Sequence, residues 1–79
     1  MSTATTIFGK RLRILRERAG LSQTELAFRC NLEQPHISRW ERGAAEPRFE
    51  SLVQLANALG VSLDEFREEK KSRNPAKIP

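Results

Sequence analysis

Between Leu21 and Gly43 the chain reads LSQTELAFRCNLEQPHISRWERG, and its polar residues are of kinds that recognise flat hydrogen-bonding edges. Ile37 and Trp40 lie three apart and can share one buried side of a short helix. That leaves Gln34, Pro35, His36 and Arg39 outward or flanking. An outward glutamine can pair with both a donor and an acceptor on adenine, and an arginine with two acceptors on guanine. Gln23, eleven residues before Gln34, falls at the start of a preceding helix, where free amides and the helix dipole favour a phosphate. The chemistry implied is recognition of a patterned polyanion, not the making and breaking of bonds.

Catalytic sets do not assemble from the same residues. A nucleophile needs a base within hydrogen-bond reach, and His36 and Ser38, two apart on a helix, point in different directions. No strand precedes a glycine-rich loop, so no phosphate cradle of that kind is present. The acidic pairs Asp64/Glu65 and Glu68/Glu69 read as a solvated face. One histidine and one cysteine make a zinc site a poor expectation. Cys30 stands at an apolar position and reads as an inert core thiol. The expectation is a protein that is not an enzyme, with no cofactor and no metal.

Positioning such a helix takes several others. From Ile7 to Ala19 the apolar residues Phe8, Leu12, Leu15 and Ala19 make one stripe, with Ile14 off it. Gly20 is placed to end that helix. Ser22 and Glu25 form the S-x-x-E pattern of a capping box and open a second helix, which buries Leu26, Ala27 and Cys30. Asn31 suits a left-handed end, and Leu32 plugs the turn. The third helix runs over 34–41, with Pro35 in its first turn, where a missing amide costs nothing. The segment AAEPR over 44–48 is a loop. Phe49, Leu52, Leu55, Ala56 and Leu59 mark a fourth helix that stops at Gly60. Ser62 and Glu65 repeat the capping pattern and open a fifth, carrying Leu63 and Phe66.

The domain organisation expected is a frayed tail over 1–5, one all-α, compact five-helix bundle over 6–70, and a disordered basic tail over 71–79. With 79 residues, one small core is all the chain can bury. It has 38% hydrophobic and 30% charged residues and a net charge of +4. That balance fits an electrostatic footprint for nucleic acid. Lys10, Arg11, Arg13 and Arg18 read mostly as a solvated face. No apolar run approaches the roughly 18 residues of a membrane span. The start, MSTATTIFGKRLR, lacks the basic-then-apolar order of a signal peptide, so a cytoplasmic protein is expected.

The segment SQTELAFRCNLEQPHISRWERG resembles the phage-repressor/Cro-like (Xre-type) helix-turn-helix family. FGKRLRILRERAGLSQTELA before it and EPRFESLVQLANALGVSLDEF after it extend the likeness to about residues 8–66. The resemblance implies a lambda-repressor-like DNA-binding domain whose second and third helices are the DNA-binding pair. It implies that Gln23 holds a phosphate and braces Gln34. Gln34 then reads a base, Pro35 and His36 take further contact positions, and Arg39 follows one turn later. It also places Arg42 on the DNA backbone, and Arg16 with Glu41 in a buried, structural salt bridge.

Some residues depart from the family pattern. Pro35 can offer only an apolar contact, for example to a thymine methyl. Glu33 stands where Ser or Thr is usual and would repel a phosphate. Arg48 occupies the start of helix four, where Ser or Thr is common, and can reach the DNA backbone instead. Phe28 is aromatic where relatives are polar, either a satellite core contact or a partner surface.

Taken together, these residues lead to the expectation of a sequence-specific double-stranded DNA-binding transcriptional regulator, a repressor or autoregulator, acting as a homodimer on a palindromic operator. Helices four and five offer the dimer seam, with Leu59, Val61 and Leu63 at its rim. The alternative is a protein-interaction module of the same fold, antitoxin-like or a complex subunit, with Phe28 and the tail engaging a protein partner.

Overall fold

The computed structural model of the chain describes residues 3–67, with side chains described from Ile7 onward. Helix α1 spans Thr3–Arg18, α2 Gln23–Arg29, α3 Gln34–Glu41 and α4 Phe49–Leu59, and a 3₁₀ helix, Leu63–Phe66, follows. Among the described residues there is no strand.

Among the described residues, the expectation of five helices needs correcting to four α-helices and one 3₁₀ turn. Ser62 precedes that turn without any side-chain cap bond. The would-be capping carboxylate of Glu65 faces Arg11 instead, with Arg11 Nη2 donating to its Oε1 at 3.3 Å. Arg11 Nε also donates to the Glu65 carbonyl at 2.9 Å. At Arg67 the backbone turns extended, with φ −88° and ψ 163°, which ends the segment after one tight turn.

Helix α1 also starts earlier than expected, at Thr3, so residues 3–5 are helical and not a frayed tail. No proline or glycine interrupts TATTIF, and each residue added to an existing helix gains a backbone hydrogen bond at low cost. The tail expected over 71–79 and the last residues of the expected bundle, 68–70, lie outside the described residues.

All four helices stop in one manner. A left-handed residue, Gly20, Asn31, Gly43 or Gly60, follows each. The next amide then reaches back across the last turn: Leu21 to Arg16 at 3.2 Å, Leu32 to Ala27 at 2.8 Å, Ala44 to Arg39 at 2.9 Å and Val61 to Ala56 at 3.0 Å. This is the Schellman closure, which satisfies otherwise free carbonyls. Asn31, at φ 61°, performs it between α2 and α3 without a glycine and so fixes how α3 leaves α2. The capping box at Ser22 and Glu25 is complete.

The core gathers Leu12 and Leu15 of α1, Leu26, Ala27 and Cys30 around α2, Ile37 and Trp40 of α3, Leu55 and Ala56 of α4, and Phe66. Phe8 closes one end, its ring 5.4 Å from that of Phe66. Two positions of the expected apolar stripes are exposed, and so is one apolar residue of the 3₁₀ turn. Ala19 lies past the last helical residue of α1, so the stripe no longer points it inward. Phe49 opens α4 at 68% exposure, and Leu63 is 39% exposed on the 3₁₀ turn.

Gly9 carries a demand the sequence pattern hides. It is buried inside α1. A Cβ there would lie 2.5 Å from the Trp40 carbonyl oxygen and 2.7 Å from that of Glu41. Helix α1 therefore crosses the last turn of α3 at backbone contact, and only glycine fits that crossing.

Candidate nucleic-acid interface

Helix α3 is seated by its inner face. Ile37 is fully buried and Trp40 6% exposed, so the helix cannot roll without uncovering both. Away from that face Pro35 and Arg39 are exposed, and Gln34 and His36 flank it half-buried. The four residues singled out for contact thus lie together on one short helix. Arg39 has no polar partner among the described residues, so its guanidinium is available to a ligand.

A chain of hydrogen bonds runs from α1 to the first residue of α3. The Arg16 guanidinium pairs with both oxygens of Glu41, Nη2 donating to Oε1 at 3.1 Å. Arg16 Nη1 donates to the Leu21 carbonyl at 2.8 Å, tying in the turn before α2. Glu41 Oε1 also accepts from Gln23 Nε2 at 2.9 Å. Gln23 Oε1 in turn accepts from Gln34 Nε2 at 2.8 Å.

The polarity of this chain follows from its start. A carboxylate only accepts, so Gln23 must face Glu41 with its amino group and Gln34 with its oxygen. Gln34 keeps its own Oε1 and one N–H unspent. That is an acceptor beside a donor, the pair that adenine's N6 and N7 complement. Gln23 keeps one N–H, enough for a phosphate oxygen.

The pair beneath is buried, with side chains 11% and 4% exposed for Arg16 and Glu41. The hydrogen bond that Arg16 donates to Glu41 raises the Arg16 pKa above its ordinary value, against the burial that lowers it. Removing one member of such a pair leaves a buried charge without compensation.

A family profile for Helix-turn-helix proteins matches residues 12–66. The chain belongs to that family. It is 43% identical over 63 residues to an uncharacterized HTH-type transcriptional regulator, y4dL, of Sinorhizobium fredii, covering 80% of this chain and 32% of the relative. The fold matches the restriction-modification controller protein C.AhdI from Aeromonas hydrophila at TM-score 0.79 and 35% identity, over 82% of this chain and 98% of that one. It also matches the P22 c2 repressor, solved in complex with a synthetic operator, at TM-score 0.72 and 33% identity, over 77% and 92% of the two chains. The chain spans less than half the length of the first two curated relatives it matches, 32% and 44%.

Two further candidates of this helix-turn-helix domain flank α3. Arg42 caps its C-terminus, is exposed, and donates from Nε to Ser38 Oγ at 3.3 Å. Arg48 sits at the start of α4, exposed, and makes no cap bond there. Glu33 likewise precedes α3 without a side-chain cap bond. Phe28 is 82% exposed on α2. It is therefore not a core residue, and it lines an open cleft of about 450 Å³ with Thr24, Glu25 and Arg29.

Sequence reasoning missed three supports of the site. Gly9 was not legible, because a lone glycine in a helical stripe does not say which backbone it approaches. Nor was the Arg16 bond to the Leu21 carbonyl, because a backbone acceptor leaves no mark in residue types. The Arg11–Glu65 contact was not either, because nothing in their spacing links them. Arg11 was expected in a solvated face, yet its side chain is only 17% exposed, because its stem lies under the 3₁₀ turn.

Among the described residues no His, Cys, Asp or Glu cluster could hold a metal ion, and no helix is long and apolar enough to cross a membrane.

Proposed function

We infer that this chain is a DNA-binding regulator of transcription that lays α3 in the major groove of double-stranded DNA. The observation that carries the reading is the fixed amide of Gln34. It stands at the head of an outward helix, held through Gln23 and Glu41 to Arg16, with a donor and an acceptor left free. Gln34, Pro35, His36 and Arg39 face the bases, with Pro35 against an apolar group such as a thymine methyl. Gln23, Arg42 and Arg48 approach the backbone, and Arg16 with Glu41 keep the helix in place. One copy offers a single reading helix, so two copies on a two-fold, palindromic operator, about one helical turn apart, give useful affinity. The protein works in the cytoplasm, as a repressor or autoregulator with no catalytic step.

A second reading, a protein-interaction module, draws support from Phe28 and its cleft. A salt titration of binding to random duplex separates the two. Affinity that falls steeply with salt reflects released counterions and supports DNA binding, whereas no binding in dilute buffer supports the module. Selection from a random duplex pool should return a palindrome. On that operator Arg39→Ala should cost about 1–3 kcal/mol and relax the choice at one base pair. Equal losses on selected and random duplex would remove Arg39 from the reading set.

A further inference from the structure

His36 is the chain's single histidine and occupies the third position of α3. Its ring lies against Trp40 one turn later, with centroids 6.0 Å apart and planes inclined at 38°. Among the described residues, Nδ1 of His36 is the one buried side-chain nitrogen or oxygen with no hydrogen-bond partner. The residue as a whole is half-buried, and Nε2 is not among the buried, unpartnered atoms.

A neutral imidazole carries one N–H and one lone pair, and the environment of one nitrogen decides the state of the other. With the proton on Nδ1, a buried donor would have nothing to accept it. With the proton on Nε2, the buried atom is only an unmet acceptor. Orphaned buried N–H groups are the rarer of the two in folded proteins, and an unmet buried donor carries its full desolvation cost.

We propose that the burial of its unpartnered Nδ1 holds His36 as the Nε2–H tautomer, so that it meets the duplex with an edge that only donates. Such an edge selects an acceptor: guanine N7 or O6, thymine O4 or adenine N7. It rejects cytosine, whose major-groove edge offers the N4 donor. Two donors face each other there, and neither finds a partner. His36 is then a specificity residue that works chiefly by exclusion, whereas Gln34 and Arg39 work by matching. The inference rests on α3 being the groove helix, and its two halves are tested separately.

The tautomer is read in the free 79-residue chain by long-range proton–nitrogen correlation of the ¹⁵N-labelled imidazole, in alkaline buffer. One histidine gives one ring pattern. In denaturant the chain should show the mixture of tautomers normal for an exposed histidine, and on folding the Nδ1–H form should vanish. A tautomer ratio unchanged by folding, or a shift toward Nδ1–H, overturns the proposal.

Recognition is read by selection from a random duplex pool. The wild-type chain should deplete cytosine about tenfold at one position. His36→Ala should abolish that depletion. His36→Gln, whose amide also accepts, should readmit cytosine, with both variants checked for native helix content by circular dichroism. Cytosine enriched there, or depletion that survives His36→Ala, overturns the proposal while leaving α3 in the groove. A pool from which folded protein enriches nothing overturns the DNA reading, and the recognition half falls with it, while the tautomer result still stands on its own.

Discussion

Helix α1 grips the rest of the molecule through two arginines five residues apart, and the two grips differ in kind. Arg16 and Arg11 each reach one carboxylate and one backbone carbonyl. Arg16 does so under cover, its partner Glu41 only 4% exposed. Arg11 is itself mostly covered, but its partner Glu65 is 47% exposed. Near water, a charge pair competes with solvation that is almost as good, and exposed pairs contribute at most about 1 kcal/mol. Under cover neither charge has water to return to. Each grip also decides the fate of a nearby polar group. At the buried corner Glu41 Oε1 accepts from Gln23 as well as from Arg16, and so orients the reading helix. At the exposed corner Arg11 draws Glu65 away from Ser62 and prevents a cap.

Breaking each grip alike tests whether burial is what separates them. Glu41→Gln should cost about 3–5 kcal/mol, since it strands the Arg16 charge. Urea unfolding followed by Trp40, the single tryptophan, reads the loss. Glu65→Gln should cost less than about 1 kcal/mol in the same assay. Comparable losses would mean that cover contributes nothing to the difference. Glu41→Gln also removes the cue that orients Gln23, because a glutamine side chain can donate as well as accept. Where the variant remains folded, discrimination at the base read by Gln34 should loosen.

A smaller change reaches the buried corner without touching a charge. Gly9→Ala should destabilise by about 1–3 kcal/mol, the usual range for overpacking. Alanine in an open helix would instead gain up to about 1 kcal/mol over glycine. The added methyl meets the Trp40 and Glu41 carbonyls, so it must push the end of α3 away from α1. The Arg11 grip, which holds Glu65 of the 3₁₀ turn and not α3, should survive. A neutral or stabilising Gly9→Ala would show that the two helices can separate at no cost.

The same contrast explains what could be read from the residues alone. The limits of α3 and α4 follow from local signs: Pro35 inside the first turn, Gly43 and Gly60 just past the ends, and apolar residues at helical spacing. The outward set Gln34, Pro35, His36 and Arg39 follows from fixing Ile37 and Trp40 inward, which is again local. The fifth helix was misread because its outcome depends on Arg11, fifty-four positions away. Gly9 escaped for the same reason, since its constraint is the backbone of α3 and not any neighbour in sequence. The bond between Gln23 and Gln34 came within reach only through the family likeness. Residue types alone do not say that two glutamines eleven apart will meet.

The two S-x-x-E tetrads give the finest test of the comparison. At Ser22 the hydroxyl accepts from the Glu25 amide at 3.0 Å, and the Ser22 amide donates to the Glu25 carboxylate at 2.8 Å. At Ser62 no side-chain cap bond forms. Ser22→Ala should therefore cost about 1 kcal/mol, and Ser62→Ala should stay within about 0.5 kcal/mol of wild type. The pH dependence should differ in the same sense. The Ser22 backbone amide, and then its hydroxyl, hold the Glu25 carboxyl below its ordinary pKa. A group whose folded pKa is lowered adds stability above its unfolded pKa and loses it as pH falls through the folded value. Glu25→Gln should thus be less stable than wild type at neutral pH, and the gap should close as pH drops below the ordinary glutamate range. A gap that persists in acid would mean that the box is held by its neutral hydrogen bonds alone, and that charge at α2 has no part in it.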